Sequence, residues 1–211
     1  LIHHNLYNLH YLLHMVMIQN IWKKQILFYY LYKNHELNES VFPSLQGGPH
    51  EHQIAAIATQ LKQVNTLDFK EYIKQVKANA QTLANELIKR DYKVCSGGTD
   101  NHIILIDLNN KNITGSKIEK LCELVNISIN KNSVPGDKSA LSPGGIRLGT
   151  PSLTTRGMNE DNMLQVAEYL DRVINLAIKI QSNNCKKLKD FINFAETDND
   201  TVTEINKIKN E

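Results

Sequence analysis

A chain of 211 residues, 41% hydrophobic and 22% charged, holds enough apolar sequence for one packed domain or one and a half. A formal net charge of +2 excludes the strongly basic character of a nucleic-acid binder or of a protein held on an anionic membrane, and the mixed composition excludes disorder throughout. Cys95, Cys122 and Cys185 stand far apart without Cys-x-x-Cys or Cys/His ligand spacing, so no metal site and no disulfide scaffold is expected.

The three thiols read as small buried or bystander side chains in a reducing compartment. The first residue is Leu1, and the expectation is a fragment of a longer product. Residues 11–18 are apolar, but far short of the roughly 18 residues that span a bilayer. They also lack the flanks of a signal peptide. Residues 1–37 hold five of the eight histidines, five of the eight tyrosines and Trp22, with neither Gly nor Pro. Rings scattered over every face give no clean period, so this segment is expected to be unstructured or foreign to the rest of the protein.

From Val41 the pattern becomes regular. Pro43, Gly47, Gly48 and Pro49 mark a loop. Ile54, Ile57, Ala58 and Leu61 recur at i, i+3, i+4 and i+7, which predicts a helix over 50–64. A second helix is expected over 68–90, capped by Thr66 or Asp68, with Phe69, Ile73, Val76, Ala80, Leu83, Ala84 and Leu87 on one face. The period then changes. Residues 92–95 and 102–108 predict strands, the second a β-branched run suited to a covered position. A helix follows from Thr114-Gly115-Ser116 with Ile118, Leu121, Cys122 and Val125 inward, then a strand over 127–129. Residues 130–145 predict an irregular loop, and 145–148 a further strand. A last long helix over 160–180 turns Met163, Val166, Ala167, Leu170, Val173, Ile174, Ala177 and Ile178 inward. The tail, 182–211, is polar and expected to fray. This order predicts an α/β or α+β class, with a small α/β domain over 91–181.

Four short motifs could carry chemistry. Gln46-Gly47-Gly48-Pro49-His50 is a Gly-Gly loop entering a helix, where free N–H groups suit a phosphate; a plain turn explains it too. Arg147 sits among glycines and apolar residues in Gly144-Gly145-Ile146-Arg147-Leu148-Gly149. Its planar fork suits a carboxylate, and a structural ion pair is the competing account. Thr99-Asp100-Asn101-His102 is explained by turn chemistry. The loop from Asn130 through Asn132 to Lys138 is rich in amides and cations. It is long enough to be functional, or it is a solvated surface loop.

Four strings occur in order: VFPSLQGGPHEHQIAA, SGGTDNH, ITGSKIEKLCELVNISINKNSVPGD and SPGGIRLGTPSLTTRG. Together they resemble the C-terminal part of serine hydroxymethyltransferases, over about residues 38–181 and not over 1–37 or the tail. The resemblance implies the aminotransferase-like fold of pyridoxal-phosphate enzymes (fold type I), with 38–90 as the end of the large domain and a linking helix. It implies a homodimer or homotetramer that transfers the hydroxymethyl group of serine to tetrahydrofolate, giving glycine and 5,10-methylenetetrahydrofolate. Neither nucleic acid nor membrane is an implied partner. The expected compartment is the cytoplasm, with the mitochondrion as alternative.

By that resemblance Gly47 and Gly48 donate to the cofactor phosphate of the partner subunit. Arg147 holds the substrate carboxylate, and Asn132, Ser139 and Ala140 face the folate. The family's cofactor lysine lies in a Thr-Thr-Thr-His-Lys type string upstream of QGGP. No such string occurs, and Lys23-Lys24 match nothing in it. These 211 residues alone are therefore expected to be inactive. The alternative is a catalytically inactive, truncated homologue that acts by pairing with a full-length subunit.

Overall fold

The computed structural model describes residues 38–139 and 141–211; the expectations for 1–37 and for Ala140 lie outside the described residues. Contacts divide the chain after Thr59 into two units, each taken here by itself. In the first, Ser40–Leu45 is an irregular helical turn broken at Phe42, with a cis bond before Pro43. The loop through Gly47 and Gly48 follows. Helix α1 (Glu51–Val64) begins where the period predicts, with the His50 carbonyl accepting from Gln53 and Ile54 N–H. Its stripe buries nothing: Ile54, Ile57 and Leu61 are 56%, 60% and 63% exposed.

The second unit is built around α2 (Leu67–Lys89). Thr66 caps it, the hydroxyl accepting from Phe69 N–H at 3.3 Å, in agreement with the sequence. Val76, Ala80, Leu83, Ala84 and Leu87 are buried as their spacing requires, whereas Ile73 is exposed because the packed part of the helix starts a turn later. Asn79, on the same face, is fully buried. Asp91 turns the chain out of the helix at φ 63°, and Tyr92 N–H donates back to the Leu87 carbonyl.

Four strands form one antiparallel sheet in the order β1-β2-β4-β3: β1 Lys93–Val94, β2 Ile103–Asp107, β3 Asn130–Asn132 and β4 Gly145–Gly149. An antiparallel sheet with separate helices makes the class α+β. Alternation buries Ile104, Ile106, Ile146 and Leu148 on one face. Ile103 and Arg147 are exposed on the other, so β2 is covered on one side only, not on both.

Helix α3 (Gly115–Leu124) buries Ile118, Leu121 and Cys122. Burial pushes the Cys122 thiol up to about 12, which suits an inert side chain. The strand expected at 127–129 is displaced to Asn130–Asn132. The cause is the way α3 ends: Asn126 takes φ 62° and Ile127 N–H returns to the Cys122 carbonyl, so 127–129 is spent leaving the helix. A short helix, α4 (Pro151–Thr155), follows β4. Helix α5 (Glu160–Ser182) opens with a capping box between Asn159 and Asn162. It buries Met163, Ala167, Leu170, Val173, Ile174 and Ala177 as expected, and packs along α2 and α3. Leu176 and Ile180 join them, while Val166 and Ile178 are only half-buried.

The frayed tail is corrected. Residues 182–211 carry two helices, α6 (Leu188–Thr197) and α7 (Asn199–Asn210). Phe191, Ala195, Ile205 and Ile208 are spaced to face one way and are buried in the common core. The polar composition hides this because few apolar side chains suffice once they share a face. Asp198 caps α7, its carboxylate accepting from the Thr201 hydroxyl at 2.7 Å and from Thr201 N–H at 3.0 Å, and these bonds hold its pKa below the usual value. Lys117, buried on α3, donates to Gln181 Oε1 at 2.6 Å and to the Cys185 carbonyl at 3.0 Å. Its ammonium lies 5.5 Å from the Phe191 ring centre, and burial lowers its pKa.

Candidate substrate-carboxylate and loop site

Arg147 is the central residue of β4, in register with Leu105 of β2 on one side and Asn130 of β3 on the other. Because Ile146 and Leu148 point into the core, alternation sends Arg147 outward. The guanidinium therefore bears little desolvation cost, contrary to the expectation for an arginine in apolar surroundings. Its Nη2 donates to Asn130 Oδ1 at 3.4 Å. No carboxylate among the described residues pairs with it, which removes the structural ion pair as an explanation there. A guanidinium carries five donors, so most of the fork remains open to a ligand.

The loop from β3 to β4 starts beside Arg147 and returns to it. Asn132 turns its amide onto the Ser133 carbonyl at 2.7 Å, and Ser139 Oγ accepts from Leu141 N–H at 3.2 Å. The loop is pinned rather than loose. Asp137 Oδ2 accepts from Gly144 N–H at 2.7 Å and Val134 N–H at 3.0 Å, and Oδ1 from Asn109 Nδ2 at 3.3 Å. The Gly144 bond, then the Val134 bond, hold the Asp137 carboxyl below its ordinary value. Gly144 leaves no room for a side chain, since a Cβ there would lie 2.6 Å from Asp137 Oδ1. Gly145 is equally tight against the Ile106 carbonyl, so it serves close packing of β4 on β2, while Gly144 is closed in by the Asn109 and Asp137 side chains.

Lys131 is held separately: Glu119 on α3 accepts from its backbone N–H at 3.0 Å and its ammonium at 2.9 Å. The amide-rich loop thus splits into a fixed strand end and a turn closed by Asp137. Sequence pattern picks out Arg147, Asn132 and the loop. Asn130 and Asp137 lie within that loop but receive no role of their own, although the Pro135-Gly136-Asp137 turn points to a carboxylate placed to accept backbone N–H groups. Thr99 and Asn101 do form a turn, Asn101 Oδ1 accepting from Ile103 N–H at 2.7 Å.

Asn79 is the other unanticipated residue. Its amide donates to Thr154 Oγ1 and the Met158 carbonyl, both at 2.9 Å, while Thr150 Oγ1 donates to the Val76 carbonyl at 2.8 Å. These bonds fix the segment that leaves β4 three residues after Arg147. In the first unit, Gly47 and Gly48 lie exposed, away from positive φ, and a Cβ on either would meet nothing within 4 Å. Their N–H groups find no acceptor among the described residues.

A family model described as serine hydroxymethyltransferase matches residues 12–170. That span starts 26 residues ahead of Asn38 (38 − 12), which corrects the upstream limit given to the resemblance. The chain is similar to a cytosolic serine hydroxymethyltransferase of Candida albicans, at 50% identity over 169 residues, covering 79% of the chain and 36% of that protein. It is similar to serine hydroxymethyltransferase 4 of Arabidopsis thaliana at 52% over 156 residues, 74% of the chain and 33% of that protein. A mitochondrial serine hydroxymethyltransferase of Schizosaccharomyces pombe is 48% identical over 180 residues, 83% of the chain and 37% of that protein. The chain spans about a third of the length of these curated relatives.

Proposed function

Because the chain belongs to the serine hydroxymethyltransferase family, we propose that it is the C-terminal part of an enzyme that reversibly transfers the serine hydroxymethyl group to tetrahydrofolate. The products are glycine and 5,10-methylenetetrahydrofolate. The carrying observation is Arg147: an exposed guanidinium on an otherwise inward-packed strand, with no carboxylate partner among the described residues. Its role is to hold the carboxylate of serine or glycine by paired charge-assisted hydrogen bonds. Asn132, Ser139 and Ala140 are proposed to face the folate.

Pyridoxal phosphate needs anion donors for its phosphate and an amine for its aldehyde. The open N–H groups of Gly47 and Gly48 fit the first need, for the cofactor of a partner subunit in a homodimer or homotetramer of aminotransferase-like fold. The second is not met by any Thr-Thr-Thr-His-Lys string in this chain. When bound, the cofactor supplies an electron sink at the substrate's α-carbon; these 211 residues supply the carboxylate clamp and the folate loop. The cytosol is the first compartment and the mitochondrion the alternative, since relatives of both names are similar to the chain.

A chimera tests this. Residues 38–181 replace the matching stretch of the Candida albicans relative, and tetrahydrofolate-dependent serine cleavage is measured. Turnover within about tenfold of the parent, a modest loss of roughly 1.4 kcal/mol, is the expected result. A chimera that folds and binds the cofactor without turning over serine sinks the reading.

The exposed stripe Ile54, Ile57 and Leu61 favours a second reading, in which the chain is catalytically inactive and pairs with a full-length subunit. Co-expression with a tagged full-length relative should then capture the untagged chain. Capture lost on Ile57→Asp would assign the pairing to α1, and failure of the unaltered chain to associate rules this reading out.

A further inference from the structure

We propose that Asp137 is the positioning residue of the β3–β4 loop, tying its two ends together so that Asn132 and Ser139 are presented to the folate. The proposal rests on the functional reading above. One carboxylate joins backbone groups ten residues apart: Oδ2 receives both Val134 N–H and Gly144 N–H, at 3.0 and 2.7 Å. Oδ1 receives Asn109 Nδ2 from the turn after β2 at 3.3 Å. Asp137 N–H itself closes a turn onto the Val134 carbonyl at 3.1 Å, made possible by Gly136 at φ 98°.

The surroundings fix what this clamp does. Leu108 N–H holds the Gly144 carbonyl at 2.9 Å, and Gly115 N–H holds the Pro143 carbonyl at 2.8 Å. The return end of the loop is thereby moored to β2 and α3. The outgoing end is moored to β4 by the β3 ladder and to α3 by Glu119 on Lys131, but beyond Asn132 its described anchors other than Asp137 reduce to the buried Val134 side chain. Asp137 transfers the order of the return end to the outgoing end. It makes no ion pair with any described residue, so its acceptor capacity goes to loop N–H groups and Asn109 rather than to a surface cation. Ser139 follows this knot by two residues.

The test uses the full 211-residue chain, with amide exchange and titration by tetrahydrofolate followed by NMR. In the unaltered chain Val134 and Gly144 amides are protected, and tetrahydrofolate shifts the Asn132 and Ser139 amides. Asp137→Ala is expected to cut that protection and weaken tetrahydrofolate binding by about tenfold or more, the loss of one well-made charged hydrogen bond. Asp137→Asn, whose carbonyl oxygen can still receive both N–H groups, should stay within about threefold on both readouts. The amides of Val173, Ile174 and Ala177 in α5 report the core. Three results overturn the proposal: an alanine variant that binds as the unaltered chain does, loss of α5 protection alongside the loop, or an asparagine variant no better than alanine. If the unaltered chain shows loop protection but no response to tetrahydrofolate, the folate assignment itself falls, and this proposal with it.

Discussion

Replacing Arg147 with alanine in the chimera should lower kcat/KM for serine by roughly 10²- to 10³-fold, about 3–4 kcal/mol, the range measured when one partner of a desolvated hydrogen-bonded charge pair is truncated. The size follows from what is lost. The guanidinium offers a flat fork, and a substrate carboxylate meeting it in a closed site exchanges water for two charge-assisted bonds. Arg147→Lys keeps the charge but not the fork, so it should recover little.

Folding stability should barely respond. Arg147 points away from the core, so its truncation leaves Ile146 and Leu148 packed and should shift folding stability by no more than about 0.5 kcal/mol. A variant as stable as the parent, with KM for tetrahydrofolate unchanged and KM for serine raised, is the signature of a carboxylate clamp. An Arg147→Ala chimera that keeps its affinity for serine would show the role to be wrong. Asn130 enters as a second-order term: at 3.4 Å its amide only leans on the fork, so the arginine is held in direction without having its donors spent.

Much of this was legible in the sequence, for a physical reason. The faces of α2 and α5 are written at 3.6-residue spacing, so Leu83 and Leu87 on one and Leu170 and Ile174 on the other could be assigned to the core before any coordinates. Arg147 between two inward apolar residues was visible in the same way. What pattern could not carry is polar burial and register. Asn79 is polar in an apolar stripe; its amide N–H groups are met by the Thr154 hydroxyl and Met158 carbonyl, 75 and 79 residues away in sequence, and its Oδ1 by Gln75 one turn back. The β3 strand is Asn-Lys-Asn, with no strand propensity; it is made by pairing with β4 and by Glu119 receiving Lys131. Asp137 is likewise invisible until Val134 and Gly144 are brought together. α1 fails in the opposite sense, since its apolar period is clear and buries nothing among the described residues.

The tail offers the second large effect. Phe191→Ala should destabilise α6 and α7 by about 3–5 kcal/mol, the cost of a large core aromatic reduced to a methyl group. Phe191 is the largest fully buried side chain of the described residues, 1% exposed, on a helix of only ten residues. Its remaining anchors are modest. Ala195 is small, Ile205 and Ile208 sit on the next helix, and Arg172 reaches Glu204 at 3.4 Å and also pairs with Glu211 from partly exposed positions. The same substitution strips the ring from the Lys117 ammonium and lets water approach a cation that burial disfavours. The loss should be local, because the α2 and α5 faces and the sheet pack together without Phe191. Amide exchange should therefore rise across α6 and α7 while Ile174 and Ala177 stay protected, and trypsin should cut first at Lys186, Lys187 or Lys189. If exchange in α6 and α7 were unchanged, the ring would not be what holds the tail. If α5 opened together with them, the tail would be one cooperative unit with the domain rather than a structure docked upon it.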